Sequence, residues 1–176
     1  MKHDVVQFEL PLTPLIDDAN FRDLRFLAIN LRPEDVLELS VTRDVSRYED
    51  LAWASAYSRW RKVAIWDRRP VFAFGASEIE HEPRVQVWGY GSLDAVHGLK
   101  PVTRYIRKFM VPEILRSGVI EAQAVSHPAN LVSHRWLQFL GFRLKATITG
   151  VGPRKQEMLL FTVSANDLAG IQQIAA

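Results

Sequence analysis

Cysteine does not occur in the 176 residues. A disulfide framework, a thiolate nucleophile and a Cys-ligated metal are therefore excluded. A surplus of one charge is also missing: 22 Lys and Arg stand against 20 Asp and Glu, a formal net charge of +2. The isoelectric point near 9.0 reflects a slight, scattered excess of basic residues, so nucleic acid is not an expected partner. No apolar run approaches the roughly 18 residues of a membrane span, and the N-terminus has no signal-peptide pattern. The expected setting is a cytoplasm, or something assembled in one. The histidines His81, His97, His127 and His134 lack metal-ligand spacing, and no metal site is expected. Repeats and low-complexity stretches are lacking too.

What is present suits one globular domain over residues 1–176, with a core of about 5–163 and a short C-terminal helix. Hydrophobic residues make up 48% and charged residues 24%, ordinary values for a packed protein. Val5 to Leu10, "VVQFEL", reads as a first strand. In "TPLIDDANFRDLRFLAINL" Asp and Asn are helix starters, and Phe21, Leu24, Leu27 and Leu31 make an apolar face. "RPEDVLELSVTR" places Pro33 at a first helical position, with acidic residues behind it. "RYEDLAWASAYSRW" is a further helix, with Leu51, Ala54 and Tyr57 or Ser58 on one face. Lys62 to Trp66 and Val71 to Phe74 flank the polar turn "DRRP", the pattern of a β-hairpin. "VQVWGYGS" is strand-forming, and its Gly89 and Gly91 imply a bulge or a close backbone approach.

After a loop, "LDAVHGLK", Pro101 is expected to open a helix through "PVTRYIRKFMVPEILRSG". Val102, Ile106, Phe109 and Met110 would form its buried stripe, and Pro112 would kink or divide it. Strands follow at "VIEAQAV", "RLKATIT" and "EMLLFTVS", with a tail helix from Asn166. The order is β-α-α-β-β-β-α-β-α-β-β-α, a mixed α/β sandwich. Between the first two of those late strands lies "HPANLVSHRWLQFLGFR", His127 to Arg143. Pro128 suits a first helical turn. Leu131, Trp136, Leu137 and Leu140 recur at helical spacing, Gly141 ends the helix, and Phe142 turns back to the core.

Asn130, Ser133, Arg135, Leu140 and Gly141-Phe142 together resemble the fourth-helix segment of the GNAT (GCN5-related N-acetyltransferase) superfamily. The element order is similar to that fold along nearly the whole chain. The resemblance implies an α/β mixed-sheet, GNAT-like domain whose fourth and fifth strands splay to admit the pantetheine arm of acetyl-CoA. It also implies a diphosphate-gripping loop, Arg/Gln-x-x-Gly-x-Gly/Ala, between the fourth strand and the next long helix. The matching stretch, "DAVHGLKPVTRY", keeps only Gly98 as a small residue. Pro101 has no N–H to give, and Lys100 offers charge in place of the lost donors. Many family members carry a Tyr seven residues after Asn130 that protonates the leaving thiolate. Here that position is Leu137, which cannot donate a proton.

No catalytic residue is assigned on this reading. Trp88, Gly98, Lys100 and Asn130 are the candidates for contact with a cofactor. Glu78, Glu80 and the basic face of "RYIRKFM" read as solvated surface. "NLRPEDVLEL", "WRKVAIWDRRPVFAFG", "VWGYGS" and "NLVSHRWLQFLGFR" further resemble GNAT-like proteins of tailed bacteriophages, some of them virion-associated proteins of podophages. That narrower resemblance implies a non-catalytic structural protein of the phage particle, made in the host cytoplasm. It would hold no cofactor and would contact other particle proteins in several copies. The alternative is an acyl-CoA-dependent N-acetyltransferase with a degenerate coenzyme loop, which would bind acetyl-CoA.

Overall fold

A computed structural model describes residues 15–173. The expected strand Val5 to Leu10 lies outside them. Described elements run β1 (Leu15–Asp18), α1 (Phe21–Ile29), α2 (Pro33–Leu39), α3 (Tyr48–Ala56), β2 (Trp60–Trp66), β3 (Arg69–Glu78) and β4 (Arg84–Gly91). They continue with α4 (Ala95–Tyr105), a π turn (Ile106–Met110), α5 (Val111–Arg116), β5 (Glu121–Ser126), α6 (Leu131–Phe139), β6 (Arg143–Val151), β7 (Gln156–Ser164) and α7 (Ala165–Gln173). Three short helices precede β2 where the expected order had two. Leu15–Asp18 is a strand that the sequence reading had merged into the first helix.

Seven strands form one sheet in the order β1-β2-β3-β4-β5-β7-β6. Every neighbouring pair is antiparallel except β4 and β5. The hairpin from β2 to β3 closes on Asp67 and Arg68, both left-handed (φ 47° and 58°). That is the mirror-image two-residue turn that matches strand twist. Phe72, Phe74, Val85, Ala122 and Phe161 face α4 to α7 and build the larger core. Val63, Ala73 and Tyr90 face the opposite way, against Leu24 and Leu27 of α1 and Leu51 and Ala52 of α3.

The helices start where their caps dictate. Asn20 Oδ1 accepts the Asp23 N–H at 3.0 Å to open α1, and Pro33 begins α2 as expected. The buried side of α3 is Leu51, Ala52 and Ser55, while Ala54 is exposed and Tyr57 is 83% exposed. Leu51 and Ser58 of the expected face are buried and its Ala54 and Tyr57 are not, while small side chains let the helix lie close to the sheet. Pro101 sits inside α4, which already begins at Ala95. Pro112 falls at the start of α5, directly after the π turn. Having no N–H, Pro112 cannot continue the ladder, and the wider turn absorbs the break. Phe109 is 51% exposed and so leaves the expected stripe, whereas Val102 and Met110 stay buried.

Pro128 precedes α6 instead of opening it. Asn130 is the N-cap, with its Oδ1 accepting the Ser133 N–H at 3.2 Å. Leu131 is exposed, while Leu137, Leu140 and Phe142 are buried, and Gly141 takes φ +91° at the helix end.

Candidate functional site: a cleft through the sheet

β4 and β5 run side by side only briefly. Arg84, Val85 and Gln86 pair with Glu121, Ala122 and Gln123, and no residue beyond does. The closed end is stapled by Gln123 Nε2 donating to Gln86 Oε1 at 3.1 Å and by the Arg84–Glu121 ion pair at 3.5 Å. Past Gln86 and Gln123 the strands diverge, and the gap widens toward their C-terminal ends.

The edges of this gap follow from strand alternation. Gly91 turns its N–H to Asp35 Oδ2 at 2.7 Å and its C=O to the Arg32 N–H at 2.9 Å, so it faces away from β3. Two residues back, Gly89 faces the same edge, where β5 has already departed. Its N–H and C=O thus front the gap. The expected bulge is absent, because β3 and β4 stay in unbroken register from Phe72–Gly91 to Glu78–Val85. The glycines serve close approach: a Cβ on Gly89 would meet the Phe72 ring at 2.9 Å.

Helix α2 spans the wide end. Its Asp35, 3% exposed, takes a two-pronged ion pair from Arg32 (2.8 and 3.1 Å) as well as the Gly91 N–H, tying the helix to β4. Burial pushes the Asp35 carboxyl above its usual range, against the pull of Arg32 and the Gly91 N–H. One turn on, Glu38 Oε2 accepts the Ser126 O–H (2.6 Å), the His127 N–H (3.2 Å) and Asn130 Nδ2 (2.9 Å). Those groups end β5 and begin α6. Residues three apart share a helix face, so one short helix holds both splayed strand ends. The sequence signal for this frame is the three-residue spacing of Arg32, Asp35 and Glu38, whose partners lie far along the chain.

A cavity of about 360 Å³ occupies the gap and reaches both faces of the sheet. Toward α1 and α3 its wall is polar. Trp88 Nε1 donates to Ser58 Oγ at 2.8 Å, Ser58 Oγ lies 2.7 Å from Ser77 Oγ, and Tyr90 O–H donates to Ser55 Oγ at 3.1 Å. Burial raises the Tyr90 pKa to about 12, keeping the phenol neutral. Toward α4 to α7 the wall is apolar, built by Met110, Val111, Ile114, Leu137, Leu140 and Phe142 among others.

Of the expected contact residues, Trp88 lines this cavity, on the α3 side, and packs over Gly75, where a Cβ would lie 2.5 Å from the indole. Asn130 is 1% exposed and holds the cleft's frame through Glu38 rather than lining it. Gly98 is buried within α4, its Cα side 3.1 Å from Ala64 and Val71 once a Cβ is added, so it serves helix-on-sheet packing. Lys100 is exposed in the same helix. The expected loop "LDAVHGLK" is mostly helix. Glu78 pairs with Arg59 at 2.7 Å on the surface. His134 Nε2 lies 3.0 Å from the His127 carbonyl, and no group of potential metal ligands exists among the described residues.

This fold has many counterparts among solved structures. A ribosomal-protein-alanine N-acetyltransferase from Brucella melitensis superposes with TM-score 0.62 at 16% identity, covering 85% of this chain and 99% of that one. The fold is that of the GNAT acetyltransferases. A GNAT superfamily phosphinothricin acetyltransferase from Sinorhizobium meliloti, solved with AcCoA, gives TM-score 0.59 at 18% identity over 87% of this chain and 89% of that one. An N-acetyltransferase from Staphylococcus aureus Mu50 gives 0.61 at 13% identity over 86% and 98%. No family model matches the sequence, and neither does any curated protein.

Proposed function

We propose that this chain is an acyl-CoA-dependent N-acyltransferase with a degenerate coenzyme loop. The observation that carries the reading is the unpaired Gly89 edge at the gap between β4 and β5, backed by a cavity that opens on both faces. A thioester arm laid in that gap would have the Gly89 N–H beside its carbonyl, where negative charge develops as an amine attacks. Transfer joins the amine nitrogen to the acyl carbon and breaks the C–S bond. The amine proton leaves to solvent, and the thiolate is free to take one from it. Leu137 supplies no acid, and Tyr90 gives its own proton to Ser55. Catalysis therefore rests on position and on the oriented N–H.

The arm fits; the diphosphate fits poorly. At the start of α4, Ala95 and His97 already donate to the carbonyls of Ser92 and Asp94, and Asp94 N–H faces Ser92 Oγ at 3.3 Å. Asp94 also puts a carboxylate at the N-cap, and the first turn has no Lys or Arg. A phosphate there would meet negative charge and a reduced set of free N–H donors. The test is release of free thiol from acetyl-CoA in the presence of amine-bearing peptides, beside Ala124→Leu, which plugs the gap from β5. Amine-dependent release that the plug removes supports the reading; no release from, and no calorimetric binding of, either acetyl-CoA or a longer acyl-CoA overturns it.

A second reading is a contact protein of a tailed-phage particle. What supports a contact surface, though not the identity of its partner, is an aromatic row away from the cleft, where Trp53 (49% exposed) lies tilted against Phe21 and stacks on the 83% exposed Tyr57. Such residues are favoured at interfaces. Gradient-purified particles would contain the chain in fixed ratio, and its absence from them would remove this reading.

A further inference from the structure

The closed end of the cavity is larger and more apolar than an acetyl group requires. Met110 and Val111 at the join of the π turn and α5, Ile114 of α5, Leu140 and Phe142 at the end of α6, and Leu168 of α7 line it. Each keeps 4–7% exposure, whereas Val85, Phe72 and Val102, deep in the same core, fall to 0–1%. That residual exposure runs along one continuous wall. On the β5 side the wall is Ala122 and Ala124, whose short side chains leave the space open. Arg107 is the charged residue on this face of the cavity, and it is turned to the Phe139 carbonyl and ring. Apolar space of this kind suits a hydrocarbon chain.

At the opposite end of the cleft the Asp94 carboxylate stands at the N-cap of α4, and the Ala95 and His97 N–H groups are taken by the Ser92 and Asp94 carbonyls, which leaves a nucleotide diphosphate little to bind. Recognition has thus shifted along the ligand. Resting on the acyltransferase reading above, we infer that the donor is a medium-chain acyl group on a pantetheine arm, gripped by its chain and arm and not by a nucleotide diphosphate. The thioester lies at Gly89, the chain runs toward Ile114 and Leu168, and the arm leaves through the wide end under α2. Such an arm occurs on coenzyme A and on carrier proteins alike, and the chemistry at this cleft is shared by both.

Calorimetric titration of the full chain with acetyl-CoA, octanoyl-CoA, octanoyl-pantetheine and octanoate separates the possibilities. Full burial of each methylene is worth about fourfold in affinity. Octanoyl-CoA is therefore expected to bind at least about tenfold more tightly than acetyl-CoA, and octanoyl-pantetheine within about threefold of octanoyl-CoA. Ala122→Leu should erase the chain-length preference, bringing octanoyl-CoA down to the affinity of acetyl-CoA. Ile114→Ala should move the preference to dodecanoyl-CoA, which keeps the test sound if the first variant folds poorly. Equal binding of acetyl and octanoyl thioesters overturns this inference but leaves the acyltransferase reading standing. Octanoyl-CoA binding far more tightly than octanoyl-pantetheine also overturns it, because the nucleotide is then gripped. Binding of octanoate with no thioester bound keeps the chain site and removes the acyltransferase. No binding of any of the four removes both.

Discussion

Glu38 concentrates three donors on one oxygen: the Ser126 hydroxyl, the His127 N–H and the Asn130 amide. Removing it leaves all three short of an acceptor in a partly buried place. Glu38→Ala should cost about 3 kcal/mol, and Glu38→Gln, which keeps an acceptor oxygen, about 1 kcal/mol, both read from urea unfolding. Equal losses would mean that the carboxylate acts only as packing. Tyr90 gives a pH signature. Its phenol ionises at about 12 in the fold and near 10 when unfolded, so between those values the folded state holds a proton the unfolded state has lost. Stability should then fall as pH rises from 10 to 12, by up to roughly 2–3 kcal/mol. Tyr90→Phe should lose that slope in alkaline melts and cost about 1 kcal/mol at neutral pH. At this scale the sequence was partly legible. Asn130 was picked out as a contact candidate and proves to be a helix cap; its second partner, Glu38, is 92 residues away in the chain, and no local pattern encodes that distance.

Among the elements, β4 and α2 decide what the cleft can do. Gly89 turns its N–H to the gap, so proline there removes one donor without breaking the β3 ladder. Gly89→Pro should lower kcat for acyl transfer by about 100-fold or more. Gly89→Ala, which brings the same Cβ toward Phe72 but keeps the N–H, should lose much less, with both folds checked by circular dichroism. Matching losses would place the effect in packing against Phe72 and not in the donor. Helix boundaries show why element reading from sequence has limits. Pro33 marked α2 correctly because nothing competes with a proline at a first turn. Pro101 misled, because Asp94 and Ser92 had already turned the chain and α4 could carry the proline at the cost of one hydrogen bond. Gly89 and Gly91 were recognised as special, yet the ladder beside them is regular, and their purpose is room for Phe72.

Across the whole molecule, two helical layers clamp a sheet that is deliberately incomplete at its centre. The helix between β5 and β6 was legible from helical spacing, and the resemblance of "NLVSHRWLQFLGF" to the GNAT fourth helix implied the fold; the order of strands in the sheet was not read from the sequence. Periodicity alone gave the elements but not the gap, because a splay is a relation between two strands, set by where their pairing stops. The account stands on that gap receiving a thioester arm. Hydrogen exchange on the protein with and without octanoyl-CoA reads it directly, since an unpaired amide in an open cleft exchanges fast and a ligand-bound one does not. The account predicts that the ligand slows exchange in Val87–Gly91 of β4 and Ala124–Ser126 of β5, with little change on the outer faces of α1 and α3. Slowing confined to the Trp53 and Tyr57 surface, or none under saturating ligand, would contradict it.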